Sequence, residues 1–505
     1  MSGLTVLALA VNGYHPFAED GGLYMAGIKR VLDPAMYPHQ AEFVLEHLRF
    51  SIFAPMVAGM VRGSGLSVEM VLLLLQFASF WMTLFAAWKL AERCYARREA
   101  RAGAVALLAV WLTLPVAGTS LMLMDPYVTA RSISTPCALL ALVGALAFLL
   151  PLDETRGGRW RGLALCCGSL AIAALVHPLM AGYALACVLA LGCVLPSNRH
   201  VRVGAMVGSC VAGVALAAAL QSLSLPENEA YLRVAMTRHY WFLSEWRWYE
   251  LIGIAAPLAI LGRVAAARQR DGNEAGTETR TALARMAIVA GIAALTVAVP
   301  FARIGLASHL VARLQPLRIF QLVYVVMILA VGAELAERVL QRRTVRWVAA
   351  FAVLAAVMVV AERQTFPASA HIELPVEMQW NAPKNEWVQA FMWIRRNTPK
   401  DALLALDADY ITKPGEDAQC FRAIAERSAL PDYSKDGGEA SITPALTPAW
   451  STGQTAQAGL SMETDSRRIA ALKPLGVSWV VLERNAATKF VCDYSNEAVK
   501  VCRLP

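Results

Sequence analysis

Apolar residues run along this chain in blocks of roughly 20, the length a helix needs to cross about 30 Å of hydrocarbon. Short polar clusters separate the blocks. Spanning helices are predicted near 67–90, 102–123, 133–152, 162–178, 179–196, 203–221, 248–266, 283–302, 316–337 and 344–361. The stretch around His177 and Pro178 is continuous in hydropathy and is divided there, because proline breaks a helix and each half is just long enough. A further run, Leu4 to Val11, is too short to span alone; either its beginning is missing or the start is misplaced. With it the predicted count is eleven.

Arginine marks one side of this array. Clusters at Arg93–Arg101, Arg156–Arg161, Arg199–Arg202, Arg268–Arg285 and Arg338–Arg346 all fall on the same side of an eleven-span chain, and that side is expected to be cytoplasmic. Residues 12–66, 124–132, 222–247, 303–315 and everything after 362 are then outside. Among these outer segments, 21–32 (GGLYMAGIKRVL), 42–62 and 227–249 carry apolar residues at helical spacing and read as amphipathic helices on the membrane surface.

From about residue 362 the pattern changes to that of a soluble α/β domain. The chain thus divides into a transmembrane domain, residues 1–361, and an extracytoplasmic domain, residues 362–505. Ala402–Leu406 and Val477–Leu482 read as short buried strands. Glu386–Arg396, Cys420–Arg427 and Ser466–Leu472 read as helices.

Composition agrees with lipid as the main solvent: of 505 residues 57% are hydrophobic and only 17% charged, against about 25% charged in soluble domains. The net charge of +8 does not point to nucleic acid, because the basic residues sit between apolar blocks where topology signals belong. No P-loop, basic-aromatic RNA motif or zinc-finger spacing is present. Of ten cysteines, seven lie in or beside apolar segments; Cys492 and Cys502 instead flank a short polar stretch and are a disulfide candidate if that end lies outside the cytosol.

Candidate chemistry gathers on the predicted outer side. Glu19 and Asp20 follow His15 and Pro16 in the first outer loop; Asp20 can act as a general base or bind a cation, or it can cap the helix beginning at Gly21. Asp125 opens the string DPYVTARSISTP, either as a second acid facing the same place or as a cap, with Arg131 six residues on. Arg313, Arg318 and Arg238, with Arg303 and Arg233, oppose the positive-inside bias; one such residue snorkels, several together fit a phosphate. His177 reads first as a hydrogen-bonded residue at a helix break, with substrate contact as the alternative.

This arrangement resembles the GT-C-type integral membrane glycosyltransferases, the class of protein mannosyltransferases, oligosaccharyltransferases and the lipid A aminoarabinose transferase. The resemblance rests on Glu19-Asp20 in a large first outer loop, surface helices there, the outer acid Asp125 and a C-terminal outer domain. The string WVQAFMWIRRNTPKDALLALD, residues 387–407, is similar to the opening of such domains in bacterial members. It implies a bacterial inner-membrane enzyme that transfers a sugar, with inversion, from a polyprenyl-phosphate donor to a lipid, protein or glycan acceptor. Asp20 would be the base, supported by Glu19. Asp125 would line the site, and Arg131, Arg313 and Arg318 would hold the donor phosphate. Some members use a divalent cation, Mg or Mn; no D-x-D triplet stands in the outer loops here. A transporter or flippase of an anionic lipid-linked substrate, or a non-catalytic assembly protein, would share the helices and outer arginines.

Overall fold

The computed structural model describes residues 1–151, 156–267, 276–375, 378, 382–413, 417 and 419–505. Eight helices among them are long and apolar enough to cross a membrane: Val68–Cys94, Ala130–Leu149, Gly157–Val176, Arg199–Leu223, Trp248–Ala266, Thr277–Phe301, Leu310–Leu340 and Thr344–Thr365. Ser2–Asn12 and Pro178–Val194 are shorter apolar helices. The protein is thus a polytopic helical membrane protein carrying a small C-terminal sheet.

One predicted span is not a helix along its length. The run 102–123 is helical only as Arg98–Val110; the chain then leaves the helix and returns through an isolated bridge between Pro115 and Met122. Pro115, Gly118, Thr119 and Ser120 disfavour helix there, and neighbouring side chains satisfy the freed backbone. Asn12 Oδ1 accepts from the Thr113 N–H at 3.1 Å, and Gln321 Nε2 donates to Leu123 O at 2.8 Å. Hydropathy alone does not register this kind of compensation.

Helix position follows side-chain character. Leu310–Leu340 is mostly buried at the centre, whereas Arg199–Leu223 and Thr344–Thr365 are almost wholly exposed, with Val207, Val211, Val353 and Val357 turned outward. An exposed face this apolar belongs against lipid. At the centre, a Cβ on Gly103 would lie 2.5 Å from Gly332 O, so only glycine lets those two helices approach so closely.

The connecting segments sort to two ends. At one, Arg342 Nε donates to Glu99 Oε1 at 2.8 Å, and Gly276 lies against the backbone of Arg93 and Cys94. Arg268, Arg270 and the Arg156 side chain lie outside the described residues. At the other end the His15 N–H donates to Pro126 O at 2.8 Å, the Glu227 N–H to Ala307 O at 2.9 Å, and the Cys420 N–H to Phe17 O at 2.9 Å.

The sheet has strand order β2-β1-β3-β5-β4. Strand β1 (Leu403–Ala405) pairs in parallel with β2 (Ser428–Ala429) and β3 (Trp479–Glu483). Strand β5 (Val499–Arg503) pairs antiparallel with β3 and with β4 (Cys492–Ser495). Leu404, Val480 and Val501 are fully buried on the strands, and Cys492 and Cys502 are joined by a disulfide across the β4–β5 hairpin. The helices Glu386–Asn397, Phe421–Ala425 and Asp465–Leu472 surround the sheet close to their expected places.

Candidate active site

The string HPFAEDGG sets the first wall. Its helix is Glu19–Leu32, starting two residues before Gly21, with Ala18 at the N-cap and no capping side chain. Asp20 therefore does not cap; both acids lie in the first turn, where the helix dipole favours negative charge. Glu19 has φ +51°, a left-handed conformation that costs a non-glycine residue about 1–2 kcal/mol. Upstream, buried His15 stacks on Phe366 and sits between two carboxylates, Nε2 2.7 Å from Glu362 and Nδ1 2.8 Å from Glu373. Downstream, Gly21 packs against Tyr127 and Gly22 against Cys420, each so closely that a Cβ would collide.

The second wall is the 124–131 turn. Thr129 caps the helix Ala130–Leu149 in a reciprocal pair with Ser132, so Asp125 is free of that task too. Gln76, fully buried on the Val68–Cys94 helix, donates to Asp125 O at 2.9 Å and fixes the turn. Arg131, in the first turn of its helix, reaches both acids. Its Nε donates to Asp125 Oδ2 at 3.0 Å and its Nη2 to Asp20 Oδ2 at 3.0 Å.

The third wall comes from the C-terminal segment that carries the sheet. Lys435, at the start of the helix Lys435–Ile442, contacts Glu19 Oε2 and lies 3.4 Å from Asp20 Oδ1. Burial works against its ammonium, but Glu19 and Asp20 outweigh that and raise its pKa. Arg318 stands over the Tyr240 ring, near enough for its charge to act on both Asp20 and Asp125, and its buried Nε has no acceptor among the described residues.

The two aspartates respond oppositely. Burial would raise Asp20, but Lys435 and Arg131 overcome it and hold the carboxyl well below the usual range. Asp125 is more enclosed, and burial raises its pKa despite Arg131. Arg131 stands between the carboxylates where a bridging ion would sit. Among the described residues no set of three His, Cys, Asp or Glu side chains is arranged around a metal.

The other sequence candidates lie elsewhere. Arg238 donates to Ser434 O at 2.8 Å and Tyr433 O at 3.1 Å, tying the 222–247 segment to the C-terminal segment that carries the sheet. Arg313 pairs with Glu227 at 3.4 Å and covers the Tyr231 ring, and Arg233 pairs with Glu229 at 2.8 Å on the surface. His177 caps the Pro178–Val194 helix through Nδ1, 3.4 Å from the Met180 N–H. Sequence reading missed Lys435, Gln76 and Gln321. The glutamines had a signal, being polar residues inside apolar runs. Lys435 had none beyond a turn-like DYSKDGG string.

No known family model matches the chain, and no curated protein matches it significantly.

Proposed function

We propose that this protein is a GT-C-type integral membrane glycosyltransferase of the bacterial inner membrane. It would span the bilayer eleven times, with its C-terminal domain periplasmic, and move a sugar from a polyprenyl-phosphate donor to a lipid, protein or glycan acceptor with inversion. The observation that carries this reading is the meeting of Asp20, Asp125, Arg131 and Arg318 at one place, drawn from three segments assigned to the outer side.

Chemically, the acids and cations divide the work. Arg131 and Arg318 bind the donor phosphate, and their charge stabilises it as the C1–O bond to phosphate breaks and negative charge develops. Asp20 takes the proton of the acceptor hydroxyl as its oxygen bonds to C1 from the opposite face. A carboxylate held as low as Asp20 is a weak base. An arriving phosphate draws its cations away and raises it toward the range a base needs. Asp125 keeps Arg131 aimed throughout.

The test is transfer of labelled sugar from polyprenyl-phosphate donors by the purified full chain in proteoliposomes. Asp20→Asn should slow turnover about 100- to 10,000-fold with donor affinity retained. Equal rates for the variant and the original chain would sink Asp20 as the base, and no transfer from any donor would sink the enzyme reading.

A further inference from the structure

We propose that the soluble domain supplies a working element of this site: Lys435 binds the donor phosphate, and Arg238 is the positioning residue that holds Lys435 there. The inference rests on the glycosyl-phosphate reading above.

Two lysines join the soluble domain to the first outer loop, and they are built differently. Lys29 is 5% exposed and spends three hydrogen bonds, on Glu69 (3.0 Å), Ala423 O (2.9 Å) and Glu426 (2.9 Å). An ammonium has three donors, so Lys29 is saturated and holds the two domains together. Among the described residues Lys435 has acceptors for two, Glu19 and Asp20, the second at the 3.4 Å limit of a hydrogen bond. Arg318, whose Nε has no acceptor among the described residues, is near enough for its charge to act on Asp20, one of the two acids that Lys435 meets. Unfilled donors on cations around one point are what a phosphate, with its several acceptor oxygens, would fill.

The residues around Lys435 fix its place. Arg238, buried on the 222–247 segment, spends Nη1 and Nη2 on the carbonyls of Ser434 and Tyr433, the two residues before Lys435. Its Nε goes to Thr237 Oγ1 at 2.9 Å. Asp432 Oδ1 accepts the Lys435 N–H at 2.6 Å, and a Cβ on Gly437 would lie 3.0 Å from Arg238 Nη2. A guanidinium spent on carbonyls has no carboxylate to neutralise. Its role here is to hold the turn, and what the turn presents is Lys435.

The experiment measures binding of a sugar-free long-chain polyprenyl phosphate, and of the uncharged polyprenol, to the full chain in detergent. The original chain should prefer the phosphate. Lys435→Ala should lose about tenfold or more of that affinity and none for polyprenol, whereas Lys435→Arg keeps most of it. The double variant Glu19→Gln/Lys435→Ala, which removes the charge imbalance, should stay weak. Arg238→Ala should weaken phosphate binding alone, and add nothing once Lys435 is alanine. Unchanged binding by Lys435→Ala, or full recovery in the double variant, would show that Lys435 only screens Glu19. Additive losses would remove Arg238 from this role. If the original chain does not distinguish phosphate from polyprenol, the glycosyl-phosphate reading itself fails, an outcome separate from failure of the variants.

Discussion

Arg131 lies 3.0 Å from Asp20 and 2.9 Å from Asp125, so one guanidinium at a helix start joins two loops 105 positions apart in the chain. Only a forked cation can satisfy both at once. Arg131→Lys keeps the charge but not the fork, and transfer should fall by about 100-fold or more while the protein stays folded. Turnover and thermal unfolding measured on the same preparation check this; normal turnover would remove Arg131 from the reaction.

His15 carries the entrance to the same loop. Burial disfavours its imidazolium, but hydrogen bonds to Glu362 and Glu373 overcome this and raise its pKa. Its stabilising contribution is therefore complete below about 6.5, its ordinary value, and is lost as pH rises through the elevated folded value. His15→Gln takes the imidazolium from Glu373 and from Glu362, which keeps His371 at 2.5 Å, and should cost about 1–3 kcal/mol. A melting temperature matching the original chain's at pH 6 would contradict this.

Gly22 permits the C-terminal segment around Cys420 to seat against the helix Glu19–Leu32. A Cβ there would lie 2.2 Å from Cys420 Cβ and 2.5 Å from Phe17 O, and backbone cannot rotate away as a side chain can. Gly22→Ala should destabilise by about 1–3 kcal/mol. Adding Cys420→Gly should recover only some of this, because Phe17 O remains. Thermal unfolding of the three forms decides it, and an unaffected single variant would show the approach is looser than described.

Asp432 gives a pH signature to the C-terminal segment. Burial, with Asp436 close by, pushes it up to about 7, against about 3.9 unfolded. Between those values the folded chain keeps a proton that the unfolded chain has released, so stability falls as pH rises from about 4 to about 7. Asp432→Asn retains an oxygen for the Lys435 and Asp436 N–H groups and should flatten that slope. Parallel stability curves for the two proteins would rule out Asp432 as its source.

Much of this could be read from the sequence, for identifiable reasons. Helix positions follow from the length of apolar runs, which lipid enforces. The reading failed at 111–123, where Asn12 and Gln321 supply hydrogen bonds from other helices. Asp20, Asp125 and Arg131 stood out because few charges interrupt such a chain, and they meet. Arg238 and Arg313 were grouped with them by side alone. Side is a topological property, whereas contact is a tertiary one, and each found a different partner. The β1 and β3 segments declared themselves by short β-branched and leucine runs, but nothing local tied Lys435 to residues near the start of the chain.

That separation has a consequence for the newborn protein. Asp20 and Lys435 are 415 positions apart, and a ribosome adding about 5–20 residues per second takes roughly 20 to 80 seconds between them. Throughout that interval the acids have been made and the lysine has not. A chain released early would carry Glu19 and Asp20 without the ammonium that contacts them.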